Sequence, residues 1–231
     1  TIMNYNWDWG VLFCTVEDAA AGCSQPFFQW IVSGFGWTIA VAAAAWVIAF
    51  SLGSLIGVMR TLENPILRGI GTGYVTIFRN IPLLVQMFLW YFVMPELLPK
   101  EAGMWVKRGM PMPEYWTAVF CLGTYTASRV GEQVRAGIQS ITQGQRYAAM
   151  AIGLRPIQVY RYVLLPVGYR IIIPPLTSDF LGIFKNSSLA LTIGVLELTA
   201  QTRQIEEYTF QGFEAFTAAT FNVPRSLFTT S

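Results

Sequence analysis

Histidine is absent from this chain, and cysteine occurs at only three positions, Cys14, Cys23 and Cys121. Because no cysteine has metal-ligand spacing, the sequence argues against a zinc site, and the lack of histidine argues against a histidine-based catalytic triad. The phosphate-binding pattern G-x-x-x-x-G-K-[ST] is also missing, so the chain is not expected to cradle ATP in that way. We therefore expect neither an enzyme nor a cofactor site. Cys14 and Cys23 either form a disulfide, if their end faces an oxidising compartment, or remain free thiols.

Charged residues are scarce, at 12% of the chain, whereas apolar residues make up 54%. The charged share is about half that of an average globular protein. A protein of this composition cannot expose its whole surface to water, so we expect the chain to lie in the lipid bilayer. The net charge of only +2 gives no support to nucleic-acid binding. Residues 1–26 contain no Lys or Arg, so the first hydrophobic segment is expected to be an uncleaved anchor.

Four hydrophobic segments are long enough for membrane helices, which need about 20 mostly apolar residues. The predicted spans are 27–59, 74–94, 115–138 and 171–196. In the first span, Gly53 and Gly57 permit close helix packing. A fifth segment begins near residue 212, but the run 222–225, Asn-Val-Pro-Arg, interrupts it, and we interpret it as a stub and not a helix. The sequence thus predicts an all-α, polytopic transmembrane bundle in one domain, 1–231, with four full spans and an incomplete fifth.

Positive charge is distributed unevenly between the connecting segments. Residues 60–71 and 129–170 together carry eight positive and two acidic residues. The alternate segments carry four positive and ten acidic residues, and they are 1–27, 95–114 and 197–214. Loops rich in Lys and Arg remain in the cytoplasm. The distribution therefore predicts an external N-terminus and a long cytoplasmic loop at about 139–170.

The long loop contains the most informative segment, QGQRYAAMAIGLRPIQVYRYVLLP, which runs from Gln143 to Pro166. Its alanines, Gly153 and the terminal proline predict a short helix, a sharp glycine turn, a second short helix and a proline break. Small side chains let another surface approach closely. From the residues alone, a docking helix pair and a packed loop without a partner are both compatible with this pattern.

This segment resembles the coupling motif of ABC importer permeases, which is an EAA triplet followed by a glycine and an Ile/Leu-Leu-Pro. The resemblance implies the type I importer permease fold and a short helix that inserts into a groove of a separate ATPase subunit, which binds the ATP. It assigns ATPase coupling to Gln145, Tyr147, Ala148, Ala149, Gly153, Leu165 and Pro166. Tyr147 stands where the motif usually has Glu, so the usual salt bridge to the ATPase is not expected there.

Three other segments resemble polar amino acid permeases of this class. Residues 78–86 resemble the R-x-x-P-L-L-V-Q signature, residues 129–138 the segment before the coupling loop, and residues 184–190 the K-x-[ST]-[SA] segment. Residues 6–10 and 90–99 are similar to the glutamate/aspartate permeases. The resemblance implies a multi-pass permease subunit of an ATP-driven importer for glutamate/aspartate in the bacterial inner membrane. The implied partners are an ABC ATPase subunit, a related second permease subunit and a periplasmic amino-acid-binding protein.

Ionisable groups within the predicted spans cost roughly 2.5–3.5 kcal/mol each on insertion, so they should face a cavity or a partner. Glu132 is expected to pair with Arg129 or Arg135 at i±3 spacing, and Asp179 or Lys185 to find a partner elsewhere. The residues assigned to a translocation path are Arg79, Gln86, Arg129, Lys185, Asn186 and Ser187. For the polar group that begins at Lys185, helix–helix hydrogen bonding is the alternative interpretation.

Other functional classes compete with the importer. A small ion channel or a gradient-driven transporter would respond to ion gradients and not to ATP. Secondary transporters often contain internal repeats, and none is visible in this sequence. A membrane scaffold without transport is a further alternative, which binding of an ATPase through 143–166 would contradict. Within the importer class, glutamine, asparagine or another polar amino acid is the alternative substrate.

Overall fold

The structure, a computed structural model, describes residues 7–13 and 26–228. Within these residues the secondary structure is helical and contains no strand, which confirms the all-α prediction. The two alternatives for Cys14 and Cys23 concern residues outside the described part of the chain.

Nine helices follow a 3-10 turn at Trp9–Phe13 in the described residues. They are α1 Phe27–Met59, α2 Pro65–Asn80, α3 Leu83–Leu97, α4 Lys100–Met104, α5 Pro113–Gln139, α6 Gln143–Ala151, α7 Pro156–Ile193, α8 Leu198–Thr209 and α9 Gly212–Phe228. The described part of the chain has three π-helical turns, within α3 at Leu89–Val93, after α4 at Trp105–Gly109 and within α7 at Tyr160–Leu164. The final part of α7, Ser188–Ile193, is a 3-10 turn.

The long helices coincide with the hydrophobic segments of the sequence. In the described residues, α1 is the one helix that is long and apolar enough by itself to cross a membrane, and its bounds are those of the first predicted span. Counting the bent pairs α2–α3 and α7–α8 as one span each gives up to three. Helix α5 covers the third predicted span and, with 27 residues, is about 40 Å long, but it also carries charged side chains. The count of four spans therefore stays a prediction.

The second predicted span, 74–94, is not one continuous helix. Helix α2 ends at Asn80, α3 begins at Leu83, and their axes differ by 102°. The cause is Pro82, which lacks a backbone N–H and disfavours the helical conformation of the residue before it. Ile81 is accordingly extended, with φ −96° and ψ 126°.

The expectation that the fifth segment is not a helix is wrong, because α9 is helical over 17 residues and passes through 222–225. The incomplete fifth span stays a prediction. One proline removes one backbone donor, and burial of one face offsets that loss. Ala215 and Ala219 on this face are buried in an apolar cluster. The fourth predicted span, 171–196, likewise differs from the structure, since α7 begins at Pro156.

The chain divides into two compact units, which we call the terminal unit (1–41 with 187–231) and the central unit (42–186). The terminal unit is built around an apolar cluster of Leu12, Phe27, Ile31, Ile205, Ala215 and Ala219. The central unit is built around a cluster of Val130, Val134, Ile138, Ala149, Val159, Leu164, Ile172 and Leu176. The prediction of one permease domain stays a prediction.

Within the central unit, α1 and α5 pack closely because glycine leaves room for the facing valines. A Cβ atom added to Gly53 would lie 2.6 Å from Val130 Cβ, and one added to Gly57 would lie 2.5 Å from Val134 Cβ. The close packing expected at these two glycines is therefore confirmed.

Candidate coupling and translocation sites

The predicted coupling segment contains the expected helix and glycine turn. Helix α6 ends at Ala151, and Gly153 follows with a φ of +89°. This left-handed conformation costs other L-residues roughly 1–2 kcal/mol, so glycine is suited to the turn. The chain then enters α7, where the backbone N–H of Arg155 donates to Gln158 Oε1 at 2.8 Å.

The second helix of the pair is not short, and the predicted proline break is wrong. Helix α7 runs without interruption through Pro166. A π-helical turn, Tyr160–Leu164, comes immediately before it. Pro166 is the second residue of the α-helical stretch that follows this turn.

The residues assigned to ATPase coupling differ in exposure. Ala149 is buried in the apolar cluster of the central unit. Tyr147 has 59% of its surface exposed, and Gln145 and Ala148 are exposed as well. Leu165 is half-buried, whereas Pro166 and Gly153 are exposed. Helix α6 thus packs through one face and presents the other outward.

Two contacts attach this segment to the turn between α1 and α2. The Tyr160 hydroxyl donates to the backbone oxygen of Thr61 at 3.0 Å. Arg146 Nη2 lies 2.7 Å from Glu63 Oε1. The sequence interpretation missed both contacts, although Glu63 is the one acidic residue in the basic segment 60–71, and this imbalance is a usable signal.

Three arginines surround Glu132 on α5. Arg60 Nη1 lies 2.5 Å from Glu132 Oε2, and Arg135 Nε lies 3.1 Å from Glu132 Oε1. Arg79 Nη1, at the end of α2, is 3.9 Å from the same carboxylate. Pairing of Glu132 with Arg135 is therefore confirmed, whereas Arg60 was not foreseen as a partner.

A second ionic cluster lies about one turn earlier on α5. The side chain of Asp179 is only 3% exposed, and its Oδ1 lies 2.9 Å from Arg129 Nε. Gln133 Nε2 donates to Asp179 Oδ2 at 2.5 Å. The expectation that Asp179 finds a distant partner is confirmed. The alternative pairing of Arg129 with Glu132 is wrong, because Arg129 extends toward α7.

The two clusters combine four guanidinium groups with two carboxylates. Two of the four, Arg79 and Arg129, keep 52% and 51% of their side-chain surface exposed. Arg79 is also near enough to Asp179 to interact with it electrostatically. An excess of positive charge with two accessible guanidinium groups favours an anion, and guanidinium matches the planar geometry of a carboxylate.

The other predicted path residues have different surroundings. Gln86 is 3% exposed, and its side-chain amide donates to two backbone carbonyls. On α7, Lys185 is exposed and Asn186 is half-buried. Ser187 is fully buried and belongs to the terminal unit. The described contacts thus bring together Arg79 and Arg129, and place Gln86 at the break between α2 and α3.

A membrane-length apolar helix, two bent helix pairs of similar character, a helix–glycine-turn–helix segment and an accessible arginine pair are together typical of a helical membrane transport subunit. Comparison with known proteins gives the family. The chain belongs to the family described as "Binding-protein-dependent transport system inner membrane component", which it matches over residues 49–228.

The chain is similar to the glutamate/aspartate import permease protein GltJ of Escherichia coli strain K12, with 47% identity over 220 residues, covering 94% of this chain and 88% of GltJ. Identity to GltJ of E. coli O6:H1 is also 47%. The glutamate/aspartate import permease protein GltK of that strain is 28% identical over 199 residues, covering 83% of this chain and 88% of GltK. A solved structure, "Crystal structure of an amino acid ABC transporter with histidines", has a TM-score of 0.69 and 28% identity, covering 87% of this chain and 94% of the other. These likenesses confirm the permease fold, and the relatives are transport proteins and not enzymes.

Proposed function

We propose that this chain is the permease subunit of an ATP-driven, binding-protein-dependent importer that carries glutamate and aspartate across the bacterial inner membrane. The observation that carries the proposal is the 47% identity to GltJ over 94% of the chain. At that extent, the similarity includes both the coupling segment and the helices with the ionic clusters.

An ABC ATPase subunit is the proposed partner of α6. The exposed face of this helix offers Gln145, Tyr147 and Ala148, and the turn at Gly153 leaves a second apolar group, Ile152, 79% exposed. Exposed apolar side chains on a short, well-anchored helix are typical of a docking surface. Of the seven coupling residues of the sequence interpretation, Ala149 is buried and would hold α6 in place, and the other six remain the proposed contact set.

The accessible arginines support the choice of an acidic substrate. Glutamate and aspartate carry two carboxylates and one ammonium group, so they have one carboxylate more than a neutral amino acid. Arg79 and Arg129 each offer an accessible guanidinium beside a carboxylate that holds it in place. Lys185, Asn186 and Ser187 stay predictions, and Lys185→Ala is expected to impair uptake while the complex still assembles.

The remaining partners and the topology are proposed on sequence grounds. Two different chains of one E. coli strain, GltJ and GltK, are named glutamate/aspartate import permease proteins, which supports a second permease subunit that is related and not identical. A periplasmic amino-acid-binding protein would deliver the substrate. The Lys and Arg distribution supports an external N-terminus. Helix α9, at 17 residues and about 26 Å, would be a short fifth membrane segment.

Uptake of labelled glutamate tests the proposal. Bacterial cells without their own acidic amino acid importers would express this chain with its partner permease, ATPase and binding protein. We expect uptake that requires every component, persists when an ionophore collapses ion gradients, and is inhibited by aspartate more strongly than by glutamine. Uptake that stops with the ionophore and needs no ATPase would contradict the importer. Stronger inhibition by glutamine would contradict the substrate.

A matched pair of variants tests the role of the arginines. Arg79→Gln should raise the glutamate concentration for half-maximal uptake about 10-fold, the effect of losing one charged hydrogen bond. Arg68→Gln, on the same helix and also exposed, should leave it unchanged. Equal effects of both changes would show that Arg79 acts only through the overall charge.

A further inference from the structure

The break between α2 and α3 leaves two backbone carbonyls without their helical donors. In a continuous helix, Phe78 O would accept from the N–H of residue 82, but residue 82 is proline. Ile81 is extended, so its carbonyl is not part of a regular helix. Such groups are unfavourable within a membrane protein unless another donor reaches them.

Gln86 supplies both missing donors. Its Nε2 lies 2.8 Å from Phe78 O and 2.9 Å from Ile81 O. Its backbone N–H donates to Pro82 O at 3.0 Å, in the first turn of α3. Because both neighbours of the side-chain amide are acceptors, the nitrogen must face them, which fixes the orientation of the amide. One buried side chain therefore joins the end of α2, the break and the start of α3.

This bridge lies beside one of the accessible arginines. Arg79 directly follows Phe78 in the last turn of α2, and its guanidinium approaches Glu132 at 3.9 Å. A rotation of α2 about the break would move the Arg79 side chain relative to the ionic clusters on α5. The bridge at Gln86 restrains that rotation, since this side chain of α3 commits both amide hydrogens to carbonyls of the last turn of α2 and of the break, Phe78 O and Ile81 O.

From this geometry we infer that Gln86 is a positioning residue, which holds the angle between α2 and α3 and thereby keeps Arg79 in place for the acidic substrate. The inference rests on the proposed function. It differs from a direct role in lining the path, because Gln86 is 3% exposed and its donors are occupied by the backbone.

Two replacements of similar length test whether the bridge depends on the hydrogen-bond donors of the Gln86 side chain or only on its polarity. Gln86→Met removes both donors and the polarity, whereas Gln86→Glu keeps a polar group but has no donor as a carboxylate and only one as a neutral acid, so it cannot donate to both carbonyls. If these two hydrogen bonds hold the angle between α2 and α3, both variants should lose the fixed angle. Gln201→Met is the matched control, because Gln201 is also a buried glutamine, 9% exposed, but lies on α8 in the terminal unit.

The first readout is the geometry of the break in the purified, assembled complex. Spin labels on a cysteine-free background would be attached at Ile70 on α2 and Phe92 on α3, which are both exposed. Both Gln86 variants should broaden the distance distribution between the labels, and Gln201→Met should not. An unchanged distribution in Gln86→Met, the variant without a new charge, would overturn the inference even if Gln86→Glu fails to assemble.

The second readout is transport. Gln86→Met should raise the half-saturating glutamate concentration about 10-fold, as expected for an arginine that loses its orientation, while the maximal rate changes by less than about twofold. In an Arg79→Gln background the same change should have no further effect, because the residue being positioned is gone. A full additional effect in that background, or normal half-saturation in Gln86→Met alone, would overturn the positioning role. If the unchanged complex shows no glutamate uptake, the proposed function fails, and the label distances still decide whether Gln86 holds the break.

Discussion

Replacing Gly57 by alanine adds one methyl group where α1 contacts α5. The added Cβ would lie 2.5 Å from Val134 Cβ, 2.7 Å from Val134 Cγ1 and 2.8 Å from Gly131 O. Rotation about χ1 can move Val134 Cγ1, but Val134 Cβ and Gly131 O are fixed by the backbone of α5. The two helices must therefore separate to accept the methyl group.

The size of the effect follows from two opposing contributions. Alanine in place of glycine stabilises a helix interior by about 1 kcal/mol, whereas an extra methyl group in a packed interior costs about 1–3 kcal/mol. Gly73 on α2 supplies the matched control, because a Cβ added there meets no atom within 4 Å. The helix contribution is common to both variants. Gly57→Ala should therefore be less stable than Gly73→Ala by about 1–3 kcal/mol.

Unfolding of the purified protein by SDS in mixed micelles, followed by circular dichroism, measures this difference. Gly53→Ala should behave like Gly57→Ala, because its Cβ would lie 2.6 Å from Val130 Cβ. Equal stability of Gly57→Ala and Gly73→Ala would refute the reasoning, since it would mean that α1 and α5 have room to spare at this contact.

Three further changes test contacts elsewhere in the central unit. Asp179→Asn should lower the free energy of unfolding by about 2 kcal/mol, because the Arg129 guanidinium loses a buried partner. Glu63→Gln, in an exposed pair, should lower it by less than about 1 kcal/mol. Equal losses for the two variants in the SDS titration would contradict this expectation. Gly153→Ala should reduce co-purification of the ATPase subunit, because alanine is strained at a φ of +89°, while Gly144→Ala should leave it unchanged; retention of the ATPase by both would disprove the role of the turn. Tyr160→Phe should cost about 1 kcal/mol through its lost hydrogen bond, and a stability equal to the unchanged protein would show that the bond contributes nothing.

Hydrophobicity predicts the long helices well where no polar group interrupts them. Helix α1 is the clearest case, since its 33 residues contain no charge and its predicted and observed bounds agree. The break at Pro82 was not recognised, because the apolar character of 74–94 continues across it. The opposite error concerns α9, where the run 222–225 predicts an interruption although the helix continues through it.

The ionic clusters show a second limit of prediction from sequence. Spacing along one helix correctly gave the pair of Glu132 with Arg135, which are one turn apart. It could not give Arg60 or Asp179, because their partners are on other helices, 72 and 50 positions away. Only the helix packing decides which distant charges meet. The helix and glycine turn at 143–153, in contrast, follow from a local pattern of alanine and glycine.

The two contacts between the α1–α2 turn and the helices of the coupling segment have a mechanical consequence. Arg146 and Tyr160 both reach this turn, at Glu63 and Thr61. Because Arg146 lies on α6 and Tyr160 on α7, a joint displacement of α6 and the start of α7 must carry the turn with it or break these contacts, and α2 begins directly after the turn. A displacement of α6 and the start of α7 can therefore reach α2, the helix that bears Arg79, through these contacts as well as along the chain through α5.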